Sequence, residues 1–551
     1  MYDQSRLLVH EGNPMLPGAT KVSGGMNFAV EVPCNTEASL ILYRKGEKEP
    51  EAEIPFAESN RTGRMCAMMV SGFKPEQYEY NFRIDTKICQ DPYARGLAGR
   101  EAFGRVSEDK DEHRIRCSFP NLREYNWEGD VSPGISYQDM ILYKVHVRGY
   151  TRQAKVAPKK RGTFAGLKEM IPYWKEFGIN AVELMPAYEF MERSTVEPGK
   201  AMIRQKHHKD KVNYWGYLPG FYFAPKSAYC ATKKPHKEFC DMVRAFHEAG
   251  IECIMEMYFP ADTAPMKALY ALWFWKKYYH VDGFHLLGDG VPGELIERDP
   301  FLYGVKKMFS DISGQPEKEN MLAEYNRGFM QDMRRLLKSD EGMVAGAQFH
   351  IKRNTGNFGT INYMASQDGF TLYDTVTYNY RHNEANGEDN HDGVEGASRK
   401  QAIRRLREQQ LRNAFLMLLL SQGTPMIYGG DEFGNSQNGN NNAWCQDNSV
   451  GWTDWKCMKK QEKLFSFVKK AIAFRKDHPI LHMPNELRSV DYMAKGFPDV
   501  SFHGERAWFL NMENTSRLIG IMYCGAYAQK PDGTSPSCSG TFWKPGHPAP
   551  R

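Results

Sequence analysis

No run of about 18 apolar residues occurs anywhere in this 551-residue chain, so nothing in it reads as a membrane-spanning helix. The start, Met1-Tyr2-Asp3-Gln4-Ser5-Arg6, lacks the apolar stretch of a secretory signal and points to the cytoplasm. Eleven cysteines, an odd number without a C-x-x-C pair, exclude a full disulfide framework or a zinc ribbon and fit scattered reduced thiols. Without an export signal, Asn60-Arg61-Thr62 and Asn514-Thr515-Ser516 read as chance glycosylation sequons. Charge of one sign is scarce too. The 72 Lys and Arg against 67 Asp and Glu leave +5, too dilute over this length for nucleic acid or an anionic membrane. The carboxylates near Asp262 are too few for a convincing calcium cage, which leaves calcium binding open, and no metal ligand set or other cofactor is predicted. No internal repeat is evident.

What is present is ordinary for a globular protein, with 41% hydrophobic and 25% charged residues. The length implies one large domain and one or two small ones. Aromatics, at 13%, suit stacking on sugar rings, although core packing is their commoner use.

Up to about residue 125, short β-like runs such as Phe28-Ala29-Val30-Glu31-Val32 and Ser39-Leu40-Ile41-Leu42-Tyr43 alternate with turns, which predicts a β-sandwich. From Asp139 the period changes to repeated strand, loop and helix. Strands are expected at 140–147, 181–185, 251–257, 281–286, 307–311, 320–325, 361–366 and 424–428. Helices are expected between them, one interrupted at Pro172 and closed by Gly178, one from Pro235 to Ala249, and one from Ser398 to Leu420. Eight such units over about 300 residues argue a (β/α)8 barrel, with a doubly wound sheet as the alternative. Lys459 to Asp477 reads as a further amphipathic helix, and β-like runs resume after Pro479. The boundaries drawn are 1–130 for the sandwich, 131–478 for the barrel, 479–530 for a shortened C-terminal β domain and 531–551 for a Pro- and Gly-rich tail expected to be disordered.

Several long motifs carry a resemblance. Tyr143-Lys144-Val145-His146-Val147-Arg148-Gly149, Asn180 to Pro186, Asn213-Tyr214-Trp215-Gly216-Tyr217, Asn383 to Gly393 and Gly430 to Asp447 resemble the α-amylase superfamily, glycoside hydrolase family 13. The match is to its isoamylase, pullulanase and glycogen-debranching branch. It covers roughly residues 135 to 525 and decides for the barrel over the doubly wound sheet. The N-terminal region, closed by Asp91-Pro92-Tyr93-Ala94-Arg95, looks like that branch's N-terminal module, either glucan-binding or merely packed on the barrel.

The resemblance implies retaining hydrolysis of α-glucans by carboxyl groups at the ends of strands four, five and seven, two of them about 5 to 5.5 Å apart. Val281-Asp282-Gly283-Phe284-His285-Leu286-Leu287 matches the fourth-strand motif, but His285 stands at its arginine and Leu287 at its nucleophile. Asp289, two residues on, is the candidate substitute. Asp311 falls at the general-acid position, with an exposed loop aspartate as the competing reading. Gln367-Asp368-Gly369-Phe370 keeps the third carboxylate as Asp368 and replaces the family's histidine by Gln367, which still hydrogen-bonds a sugar. On strand three, Glu256 keeps the acidic position, whereas Pro260 and Ala261 replace an Asn and a His. Tyr217, with Trp215 beside it, inherits a sugar-stacking role, the competing reading being a tyrosine packed in the barrel rim.

Three readings follow. The first is a debranching-type barrel that binds α-glucan (glycogen, starch or malto-oligosaccharide) with little or no hydrolysis, as a partner of an active debranching enzyme. The second is an active α-glucan hydrolase using Asp289, Asp311 or Glu256. The third is a protein-interaction barrel without glucan affinity.

Overall fold

A computed structural model of the chain describes residues 7–105, 112–192, 211–312, 321–394 and 398–528, and the backbone of Ser539–Trp543. Two antiparallel sheets form the N-terminal module. One runs in the order Leu8–Glu11, Met65–Ser71, Gly25–Glu31, Gly18–Val22, and the other in the order Leu97–Ala98, Arg116–Ser118, Tyr78–Ile84, Ala38–Arg44, Ala52–Pro55. Apolar side chains that alternate along these strands, among them Phe28, Leu40, Leu42, Met68, Tyr80 and Phe82, make one core between the sheets.

Eight parallel strands close a barrel: β1 (Leu142–Val145), β2 (Ala181–Leu184), β3 (Glu252–Tyr258), β4 (Gly283–Leu287), β5 (Lys306–Phe309), β6 (Leu322–Tyr325), β7 (Gly359–Tyr363) and β8 (Thr424–Tyr428). The (β/α)8 fold expected from the sequence is therefore the fold observed. β7 starts earlier than expected, because pairing with β6 begins at Gly359, opposite Ala323. It ends at Tyr363, beyond which Arg334 donates to the carbonyls of Met364 (2.6 Å) and Phe370 (2.9 Å) and holds an irregular turn.

Pro172 does not break one helix. It sits in the first turn of a second helix, Ile171–Phe177, where the missing N–H costs nothing, and Gly178 closes that helix at φ 98°. The Ser398 segment becomes helical only at Arg404, since the N–H groups of Arg399 and Gln401 are bonded to Thr375 and Val376.

Inside the barrel the period of two puts Leu142, Ala181, Ile254, Met308, Ala323, Ile361 and Met426 in one apolar layer. Below it, at the N-terminal end of the strands, Lys306 pairs with Glu252 at 2.8 Å. The same alternation places Lys144, Glu183, Glu256, His285 and Tyr325 above the layer, toward the end where barrel enzymes carry their sites. After the barrel, Val500–His503, Ile519–Tyr523 and Ser539–Trp543 form a three-stranded antiparallel sheet. The last strand lies within the tail expected to be disordered. Its backbone hydrogen-bonds to the edge of Ile519–Tyr523, a pairing that composition does not signal.

Candidate functional site

Two register pairs build the floor of the site. Lys144 lies opposite Glu183 on the neighbouring parallel strands β1 and β2, and Glu256 lies opposite His285 on β3 and β4. All four side chains are buried. The Lys144 ammonium is ion-paired to Glu256 and lies 3.4 Å from Glu183, while His285 Nδ1 is 2.8 Å from Glu183 and 3.4 Å from Glu256. Tyr325 donates its hydroxyl to Glu183 and stacks flat on the His285 ring at 3.9 Å. Tyr217 donates to the other oxygen of Glu256 at 2.6 Å.

Burial alone would lower the pKa of His285, but the Glu183 and Glu256 carboxylates more than reverse this and raise it above its ordinary value. Burial would likewise lower Lys144, and the same two carboxylates raise it. Glu183 answers in the opposite sense. Its burial penalty is outweighed by Lys144 and His285, which hold it well below the usual carboxylate range. The floor is thus a quartet of two basic and two acidic side chains in mutual contact. The donor atoms of Glu183, Glu256 and His285 lie within 4.8 Å of one another, a spacing that suits a metal ion. The Lys144 ammonium already stands against both carboxylates, so a bound metal would have to displace it.

Above this floor a cleft of about 470 Å³ opens over the ends of β4 to β7. Among the residues expected to act, His285, Gln367 and Asp368 line it, together with Leu287 at the end of β4. Asp368 is exposed at the mouth yet crowded there. That crowding raises its carboxyl above the ordinary aspartate value despite the nearby cations Arg327, Lys144 and Arg334.

The other two catalytic candidates lie elsewhere. Asp289 is exposed and outside the cleft lining, because Gly288 at φ 94° turns the chain and the Gly290 N–H bonds to Phe259 O at 2.9 Å. Asp311 is also exposed, and Ser310 takes the place at the cleft beyond β5. Glu256 is locked into the ionic floor beneath Tyr217 rather than presented to the cleft. Trp215 is packed with Met185, Tyr214 and Ala443, and Tyr217, half-buried, also stands outside the cleft lining.

The long loops after β7 and β8 are held by buried amides. Asn386 donates to Asp392 (2.7 Å) and to the carbonyl of Asn442 (2.8 Å), and its own oxygen accepts from Asn440 (3.0 Å) and Gln446 (2.8 Å). Asn383 and Asn441 clasp each other twice, at 2.8 and 2.9 Å. The Trp444 carbonyl then takes the Tyr214 N–H at 2.7 Å and ties this lattice to the Tyr217 segment. These bonds hold the two loops to each other and to the segment that carries Tyr217.

Reading the motifs in chain order missed Lys144, Glu183, Tyr325, Arg327 and Arg334. A signal was available for the first two, since a charged residue inside an apolar strand that a barrel buries must find a partner.

Closed barrel, β-rich N-terminal module and a cleft at the C-terminal edge of the strands together define the architecture of the α-amylase superfamily. A glycogen operon protein GlgX homolog of Haemophilus influenzae is 30% identical over 584 aligned residues, covering 85% of each chain. Chloroplastic isoamylase 1 of Arabidopsis thaliana is 28% identical, covering 94% of this chain and 80% of its own. Among solved structures, pullulanase from Paenibacillus barengoltzii in complex with maltohexaose and alpha-cyclodextrin superposes with TM-score 0.67 at 17% identity, over 94% of this chain and 86% of that one. The catalytic module of the glycogen-degrading pneumococcal protein SpuA gives TM-score 0.68 at 18% identity, over 95% and 89%. A scan against protein-family models returned no match. The chain belongs to the isoamylase, pullulanase and glycogen-debranching branch of glycoside hydrolase family 13.

Proposed function

We propose that this protein is a cytoplasmic member of the debranching branch that binds α-glucan in the barrel cleft and hydrolyses it little or not at all. What carries the reading is Leu287, an aliphatic side chain lining the cleft at the end of β4, where the resemblance calls for a nucleophile. A covalent glycosyl intermediate needs a carboxylate at that point, and neither Asp289 nor Asp311 lines the cleft to take its place. Gln367 and Asp368 remain as hydrogen-bonding groups in the cleft, and Tyr217 keeps its place over Glu256. The names of relatives and neighbours support glucan as the ligand, since they include a glycogen debranching enzyme and pullulanases holding maltohexaose or maltotetraose. A role beside an active debranching enzyme, as a subunit that positions the polymer, follows from binding without cleavage.

The test pairs binding with turnover. Maltoheptaose is expected to change the fluorescence of the Trp215 region, Tyr217 lying 6.1 Å from that indole, and Tyr217→Ala to remove the change. Pullulan and glycogen are expected to yield no reducing sugar. Release that disappears in Asp368→Ala, or covalent trapping of a fluorinated glucosyl inhibitor on any acid, would overturn the reading.

A further inference from the structure

We infer that the cleft accepts an anionic glucosyl unit, one carrying a phosphate monoester, at a position defined by His285 and the start of the helix Arg327–Lys338. The inference rests on the glucan-binding reading and narrows it.

The first observation is an unused donor. His285 is 4% exposed, its Nδ1 faces Glu183 and Glu256, and its Nε2 has no hydrogen-bond partner although the residue lines the cleft. Glu183 and Glu256 raise the ring's pKa and so favour its charged form, in which both nitrogens carry hydrogen and Nε2 is a buried N–H⁺ left for an acceptor from outside. Leaving a charged donor unmet in such a place costs more than leaving a neutral one, which favours an anionic acceptor.

The second observation is the helix. It follows β6 with no intervening loop, its N-cap Asn326 accepts from the Phe329 N–H at 3.0 Å, and its first residues therefore begin at the cleft. Backbone N–H groups of a first turn attract phosphate. The first helical residue is itself basic. Arg327 is exposed, lines the cleft, and its guanidinium makes no ion pair or hydrogen bond among the described residues.

The third is the balance of charge. Lys144 and His285 are matched by Glu183 and Glu256, and Arg335 pairs with Asp340, while Asp332 lies 3.3 Å from His350, whose pKa burial lowers. Arg327 and Arg334 both act on Asp368, and Arg334 faces Asp431 as well. Arg334 is buried, spends its hydrogen bonds on two backbone carbonyls, and has no carboxylate bonded to it. Arg327 is thus the cleft guanidinium with no bonded partner among the described residues, and a phosphate dianion is the group that guanidinium, helix start and histidinium each favour.

The experiment is calorimetric titration of the full chain with maltotriose, with maltotriose bearing one phosphate monoester, and with α-glucose 1-phosphate. At least one phosphorylated ligand is expected to bind about tenfold tighter than maltotriose, with a preference that shrinks at higher salt. Arg327→Gln, an exposed change that leaves the fold intact, is expected to bring that ratio close to one, and His285→Gln to do the same where it folds. The two phosphorylated ligands distinguish an ester on a polymer from a free sugar phosphate. Equal binding of phosphorylated and neutral sugars overturns the inference and leaves glucan binding standing. Binding of none overturns both, and a preference that survives Arg327→Gln overturns the assignment to this site.

Discussion

His285 Nδ1 lies 2.8 Å from Glu183 Oε1, across a barrel that brings together residues 102 positions apart. The histidine stands where the family resemblance calls for an arginine, and the structure gives it a partner on β2. The pairing has a pH signature. A histidine raised above its ordinary 6.5 adds stability that is complete below that value and is lost as pH rises through its folded-state pKa. Glu183, depressed from 4.5, adds stability present above 4.5 and lost on acidification. Urea midpoints measured against pH are expected to be highest between those limits and to fall on the alkaline side. His285→Gln should flatten the alkaline fall, leaving the common background from His247 and Asp431, whose pKa values are also raised. An unchanged alkaline limb in the variant would count against a charged His285.

Lys144 supplies the other cation of the floor and is 1% exposed. Lys144→Met keeps the length and leaves two buried carboxylates facing one histidine, a loss expected to cost about 3–5 kcal/mol. Chemical denaturation of the two proteins measures it. A loss below about 1 kcal/mol would mean that the carboxylates take up protons cheaply, and the quartet would not be ionic.

Asn386 tests whether the debranching-type loops are structural. Asn386→Ala removes two donated and three accepted bonds, the last from the Cys445 thiol, inside a buried lattice, with an expected cost of roughly 3 kcal/mol. Faster amide exchange is expected in both the 383–393 and the 437–447 loops. Change confined to one loop would show that the other is held independently.

Leu287→Asp puts a carboxylate back at the end of β4. Reducing-sugar release from pullulan is expected to stay at the background of the unmodified protein, because Ser310 rather than an acid lines the cleft beyond β5. Measurable turnover by this single variant would reveal a proton donor from another part of the cleft.

Much of the fold was legible because its signals are local. β8 runs over Thr424–Tyr428, where the apolar run after Gly423 places it, and Gly178 ends its helix in the left-handed conformation that its position after an amphipathic run requires. Leu287 was legible as well, since the motif around it fixes its place at a strand end. The fates of Asp289 and Asp311 were not. Both fall within two residues of a barrel strand's end, where a glycine turn or a single extra residue decides between cleft and solvent.

Taken by itself, the sequence determined the barrel, its branch of the family and the aliphatic residue at the fourth strand's end, because motifs and periodicity depend on neighbours a few residues away. Only the tertiary structure decided which buried charges meet. Lys144, Glu183, Glu256 and His285 come from four neighbouring strands, whose register and curvature set their separations while the closed barrel removes the water that would otherwise solvate them.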